Sequence, residues 1–108
     1  MSRRRVVITG LGAVTPLGLD VESTWAGLVA GRSGAGPITR FDTKDFATTF
    51  ACELKGFDPE TFLEKTEARK LDPYTHYMLA AADEAMRMCG IDMERVDRDR
   101  FGCIAKLA

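Results

Sequence analysis

Two short apolar runs near the ends of the sequence, with helical patterns between them, set the fold class. The first is Arg5-Val6-Val7-Ile8, stopped by Thr9 and Gly10. The second is Phe101-Gly102-Cys103-Ile104. A continuous run of this kind suits a strand covered on both faces, as in a parallel sheet. Two such strands joined through helices imply a parallel pair with a right-handed crossover. The sequence therefore predicts an α/β unit, and 108 residues suit one domain with a small core rather than two domains.

Between the runs, Gly10, Gly12, Pro16 and Gly18 mark a loop. Asp20 is a good N-cap for a helix from Val21 to Ala30, with Val21, Trp25, Leu28 and Val29 on one stripe and Gly31 to end it. Residues 31–58 read as an irregular excursion that Phe41, Phe46 and Phe50 pin onto the body, with a short strand at Ala51–Leu54. Asp58-Pro59-Glu60 opens a short helix through Leu63 or Glu64. Asp72-Pro73 opens a longer one to Cys89, closed by Gly90, with Tyr74, Tyr77, Met78, Ala81, Ala85, Met88 and Cys89 on one face. Asp83 and Arg87, acid first, pair on its solvated side.

Charge narrows the partners. Fifteen basic and 16 acidic residues leave a net charge of -1, so no global field draws the chain to nucleic acid or anionic lipid. Apolar stretches are too short for a membrane span. Arg3-Arg4-Arg5 is followed by only Val6, Val7 and Ile8, too little for a signal peptide, which points to the cytoplasm. Arg3–Arg5 reads as a solvated tail or a basic arm. Cys52, Cys89 and Cys103 are odd in number and widely spaced, unlike a disulfide framework.

No constellation gives a reaction by itself. Gly10-Leu11-Gly12 after a strand invites a dinucleotide-binding reading, but Thr15 stands where the third glycine belongs and the helix starts late. A tight turn explains the glycines better, and a nucleotide-binding half-domain stays as a minor alternative. The three cysteines and His76 lack the paired spacing of a zinc site, so no metal is expected. Cys89 and Cys103 read as small buried thiols, and His76 as a surface or boundary residue. Lys65, Arg69 and Lys70 form a basic cluster diluted by Glu64 and Glu67. It is either a solvated segment with helical ion pairs or a docking patch for an acidic or phosphorylated partner.

An ordered set of segments goes further. It comprises Arg4-Arg5-Val6-Val7-Ile8-Thr9-Gly10-Leu11-Gly12, Val14-Thr15-Pro16-Leu17-Gly18, Trp25 and Leu28 before Gly31-Arg32-Ser33-Gly34, Ile38-Thr39-Arg40-Phe41-Asp42, Phe57-Asp58-Pro59, and Glu67-Ala68-Arg69-Lys70-Leu71-Asp72 leading into Tyr77 and Ala80-Ala81-Ala82. This order resembles the N-terminal segment of the β-ketoacyl-acyl-carrier-protein synthases, above all the elongating synthase II group. Polyketide condensing enzymes share part of the pattern. The resemblance runs from about Arg3 to about Ile104.

The resemblance implies an incomplete α/β fold, the β-α-α-β part of a thiolase-like αβαβα body, with residues 1–108 a partial N-terminal half and no internal boundary. It implies a decarboxylative Claisen condensation and a homodimer in the full-length family. No cofactor is implied, because substrates arrive on the phosphopantetheine arm of acyl carrier protein. The family's nucleophilic cysteine and catalytic histidines match no position here: Cys52, Cys89, Cys103 and His76 all lie elsewhere. The resemblance therefore implies no catalytic residue in this sequence and no condensing activity by the 108 residues alone. A tail of Ala105-Lys106-Leu107-Ala108 replaces the family's glycine- and serine-rich loop, which suggests truncation, a frame shift or a deliberate cut. Lys65, Arg69 and Lys70 match the family's carrier-protein docking patch. Thr66 stands where some members have another lysine.

Overall fold

The Asp72-Pro73 step starts the longest helix of the chain. In the computed structural model, which describes residues 2–106, this helix (α3) spans Pro73–Cys89. Proline suits the first turn because its ring presets φ and its missing N–H falls where a helix has no partner for one. Gly90 ends α3 with φ 62° and ψ 25°, the left-handed conformation that costs glycine least. Upstream, α1 spans Val21–Val29. Its cap is Asp20, which accepts the Ser23 N–H at 2.7 Å. The Ser23 hydroxyl, then that N–H, hold the Asp20 carboxyl below the usual carboxylate range.

Three further segments are shorter than the sequence predicts or absent from the prediction. Asp58-Pro59-Glu60 yields only a 3₁₀ turn at Pro59–Thr61, with Asp58 accepting the Glu60 N–H at 2.9 Å. A four-residue helix, α2, follows at Lys65–Ala68. Arg98–Arg100 forms a last 3₁₀ turn.

Neither apolar run is a strand. Residues 5–8 and 101–104 carry no ladder pairing, and Val6, Ile8 and Ile104 are 92%, 83% and 99% exposed. A strand needs a neighbour for its N–H and C=O groups and cover for its apolar faces. Among the described residues neither run has either. The predicted parallel pair is thus replaced by one antiparallel ladder, β1 (Gly36–Pro37) against β2 (Phe50–Ala51), with Gly36 opposite Ala51. Its second strand begins one residue before the predicted Ala51–Leu54 and is shorter.

The loop after the first run is held on α3. A Cβ at Gly10 would overlap the Ala85 carbonyl, and one at Gly12 the Ala81 carbonyl. These glycines let backbone lie on helix backbone over two alanines one turn apart. They serve packing, and Gly10-Leu11-Gly12 aims no helix N-terminus at a phosphate. Glu84, between those alanines, reinforces the contact: Oε2 accepts the Ala13 N–H and Oε1 the Val21 N–H, each at 2.9 Å. One carboxylate thereby joins the loop, the start of α1 and α3.

Burial is sparse. Ala68, Ala80, Gly27 and His76 are the buried residues among those described, and no large side chain is fully enclosed. Of the predicted apolar stripe of α1, Trp25, Leu28 and Val29 are exposed, Trp25 at 65%, and Val21 is half-buried. Tyr74, Met78 and Met88 on the predicted face of α3 are also exposed, and burial falls instead on His76 and Ala80. Phe41 and Phe46 pack on each other, ring centroids 5.4 Å apart, while all three pinning phenylalanines stay exposed. The accessible surface is 9386 Å². A folded chain of this mass exposes about 5,950 Å². The radius of gyration, 17.6 Å, exceeds the roughly 13 Å of a compact domain this long.

Candidate functional site

The basic cluster is built on α2. Lys65 opens the helix, Arg69 caps its C-terminal end and Lys70 follows. The cap is held by backbone: Arg69 N–H donates to the Lys65 carbonyl at 3.3 Å and Lys70 N–H to the Glu67 carbonyl at 2.9 Å. Lys65 and Arg69 are one turn apart and share a face. All three side chains belong to exposed residues. Lys65 Nζ lies 3.8 Å from Glu60 Oε1, a solvated pair that binds little. Among the described residues neither Arg69 nor Lys70 has a carboxylate within 4.0 Å. Glu67, Lys70 and Leu71 line an open depression of about 290 Å³ beside them.

His76 fastens this segment. It is 9% exposed, and its Nε2 lies 2.9 Å from the carbonyl oxygen of Ala68, the last residue of α2. A carbonyl only accepts, so Nε2 carries the proton and donates. The residue expected at the surface or boundary is thus a buried strut between α3 and α2. Sequence reading missed it because α3 turns the His76–Ala80 side inward, beside the face that apolar spacing selects. The sequence offered only its place one position off the apolar face of α3.

The other candidates do not join this site. Cys52 and Cys103 are exposed free thiols, so Cys103 is no core residue. With its run unpaired, nothing covers it. Cys89 is half-buried and its thiol donates to the Met86 carbonyl at 3.2 Å. Arg3, Arg4 and Arg5 are exposed. Among the described residues no three His, Cys, Asp or Glu side chains gather as metal ligands, and no helix is long and apolar enough to cross a membrane. Chemically, this arrangement offers three cations on a fastened turn for an anionic surface.

Comparison with known proteins fixes the family. Residues 3–106 match the beta-ketoacyl synthase N-terminal domain. The chain belongs to the beta-ketoacyl synthase family. It is 39% identical over 104 residues to 3-oxoacyl-[acyl-carrier-protein] synthase 2 of Synechocystis sp., covering 96% of this chain and 25% of that protein. Against the synthase 2 of Vibrio cholerae it is 44% identical over 102 residues, covering 94% and 25%. The ishigamide ketosynthase/chain length factor superposes with a TM-score of 0.77 at 42% identity, covering 86% of this chain and 23% of the other. The chain thus spans about a quarter of the length of these relatives and carries an incomplete part of the α/β ketosynthase fold.

Proposed function

We propose that this chain serves in a 3-oxoacyl-[acyl-carrier-protein] synthase of fatty acid biosynthesis, in the cytoplasm. Identities of 39% and 44% to synthase 2 proteins of two bacteria, over almost all of its residues, carry this reading. The reaction is a decarboxylative condensation: an acyl group moves to a cysteine thiolate, malonyl carrier protein loses carbon dioxide, and the carbanion attacks the thioester. Such a reaction needs a thiolate of lowered pKa and amides for the oxyanion. Residues 3–106 contribute scaffold and carrier docking instead of the nucleophile. Lys65, Arg69 and Lys70 attract acidic acyl carrier protein, whose phosphopantetheine arm brings the substrate, and no further cofactor is needed. The whole enzyme acts as a homodimer.

A segment swap tests the reading. Residues 3–106 replace the matching segment of the Vibrio cholerae synthase, and 3-ketoacyl product is measured from acyl and malonyl carrier protein. Retained condensation is expected from the chimera, and none from the 108 residues alone. A folded, dimeric chimera without activity overturns the reading, and turnover by the short chain overturns only the inactivity of the 108 residues alone. A second reading, a ketosynthase of polyketide type, follows from the shared sequence pattern and is tested with the ishigamide ketosynthase/chain length factor as the host of the same swap. A swap that supports that enzyme and fails in the fatty acid synthase would favour it.

A further inference from the structure

We infer that His76 is a positioning residue for carrier-protein docking: its imidazole N–H fixes the end of α2 on α3 and so aims Arg69 and Lys70. The inference rests on the docking role proposed for the basic cluster.

Besides His76, α2 is held by its packing on the 3₁₀ turn at Pro59–Thr61, which touches its start and leaves its C-terminal end to His76. The helix is four residues long, far below the length at which a helix persists alone. Glu64 precedes it without any side-chain cap bond. Every residue of α2 except Ala68 is exposed. The Ala68 carbonyl receives the His76 N–H at 2.9 Å and, more weakly, the Leu71 N–H at 3.4 Å. Arg69 and Lys70 are the next two residues along the chain. Losing the His76 bond leaves a buried carbonyl short of its main donor and frees the turn that carries both cations. Docking then requires ordering that turn at the moment of binding, which lowers affinity without removing any charge.

The test measures binding of the chimeric synthase that carries residues 3–106 to holo acyl carrier protein across a salt series. His76→Leu removes the donor and keeps an apolar filler. Affinity should fall about three- to tenfold, the range of one hydrogen bond, with the salt slope unchanged. His76→Gln, whose amide can donate to the same carbonyl, should recover most of it. Amide exchange at Arg69 and Lys70 should speed up in His76→Leu while the middle of α3 stays protected; general unfolding would move both. Charge reversal at Lys65, Arg69 and Lys70 tests the docking role separately and should weaken binding and flatten the salt slope. If charge reversal weakens binding and His76→Leu leaves it unchanged, the inference fails and docking stands. If charge reversal has no effect, both fail.

Discussion

Glu84 holds three segments with one carboxylate, and its two oxygens are not interchangeable with an amide. Oε1 and Oε2 each accept a backbone N–H at 2.9 Å, from Val21 and Ala13. Glu84→Gln keeps the size but turns one acceptor into a donor facing another donor. The side chain is half-buried, so the loss should be about 1–2 kcal/mol, the lower part of the cost of leaving a buried donor unpaired. Amide exchange at Ala13 and Val21 should accelerate about 5- to 30-fold. Unchanged protection at both would remove Glu84 from this role. Nothing local in the sequence foretold it, because the partners lie 63 and 71 residues away. Asp20 was legible for the opposite reason: its partner is three residues on. Lys65, Arg69 and Lys70 were legible as a cluster because they are near neighbours in sequence. His76, which joins them to α3 across eight residues, was not.

Among elements, α1 and α3 formed where predicted, Asp58-Pro59-Glu60 gave only a 3₁₀ turn, and the two end strands did not form. Helix bonds close within a segment, so Asp20, Asp72-Pro73 and Gly90 suffice to place boundaries. Strand bonds need a second segment, and apolar spacing cannot say whether one is present. The Gly10-Leu11-Gly12 turn lies between these cases. Its glycines were legible, while their reason, contact with Ala81 and Ala85 of α3, lies in the packing. Gly12→Ala would drive a methyl group into the Ala81 carbonyl, which is backbone and cannot swing aside. Overpacking of this kind costs about 1–3 kcal/mol. The loop should lift off α3, seen as faster exchange of the Ala13 amide. Gly102→Ala is the control, since nothing lies within 4 Å of a Cβ there, and should change nothing. Equal effects from both would show that close approach to α3 is not what requires glycine at position 12.

For the whole molecule, surface area decides how the chain behaves in solution. At 9386 Å² it hides a little under half of the roughly 17,000 Å² an unfolded chain of this mass exposes, against about two-thirds for a self-sufficient domain. Burial is the main favourable term in folding, and backbone ordering costs about 1–2 kcal/mol per residue whether or not burial is achieved. The described residues therefore order their backbone with too little burial to offset it. Among them Val6, Ile8, Trp25, Val29 and Ile104 all face water. Unpaired runs such as residues 5–8 and 101–104 are also templates for pairing with other chains. Two outcomes follow for the 108 residues in dilute buffer. They should bind a hydrophobic dye below any melting temperature, because apolar surface is open without heating. Their thermal transition should be broad and should move up with protein concentration, because self-association supplies the missing cover. A sharp transition at one temperature across a hundredfold concentration range, from a species of monomer mass that binds no dye, would overturn this. Local order is expected to outlast global cooperativity: α3, with its backbone bonds closed internally, Gly10 and Gly12 packed against it and its own His76 tied to Ala68, should be the last element to lose amide protection.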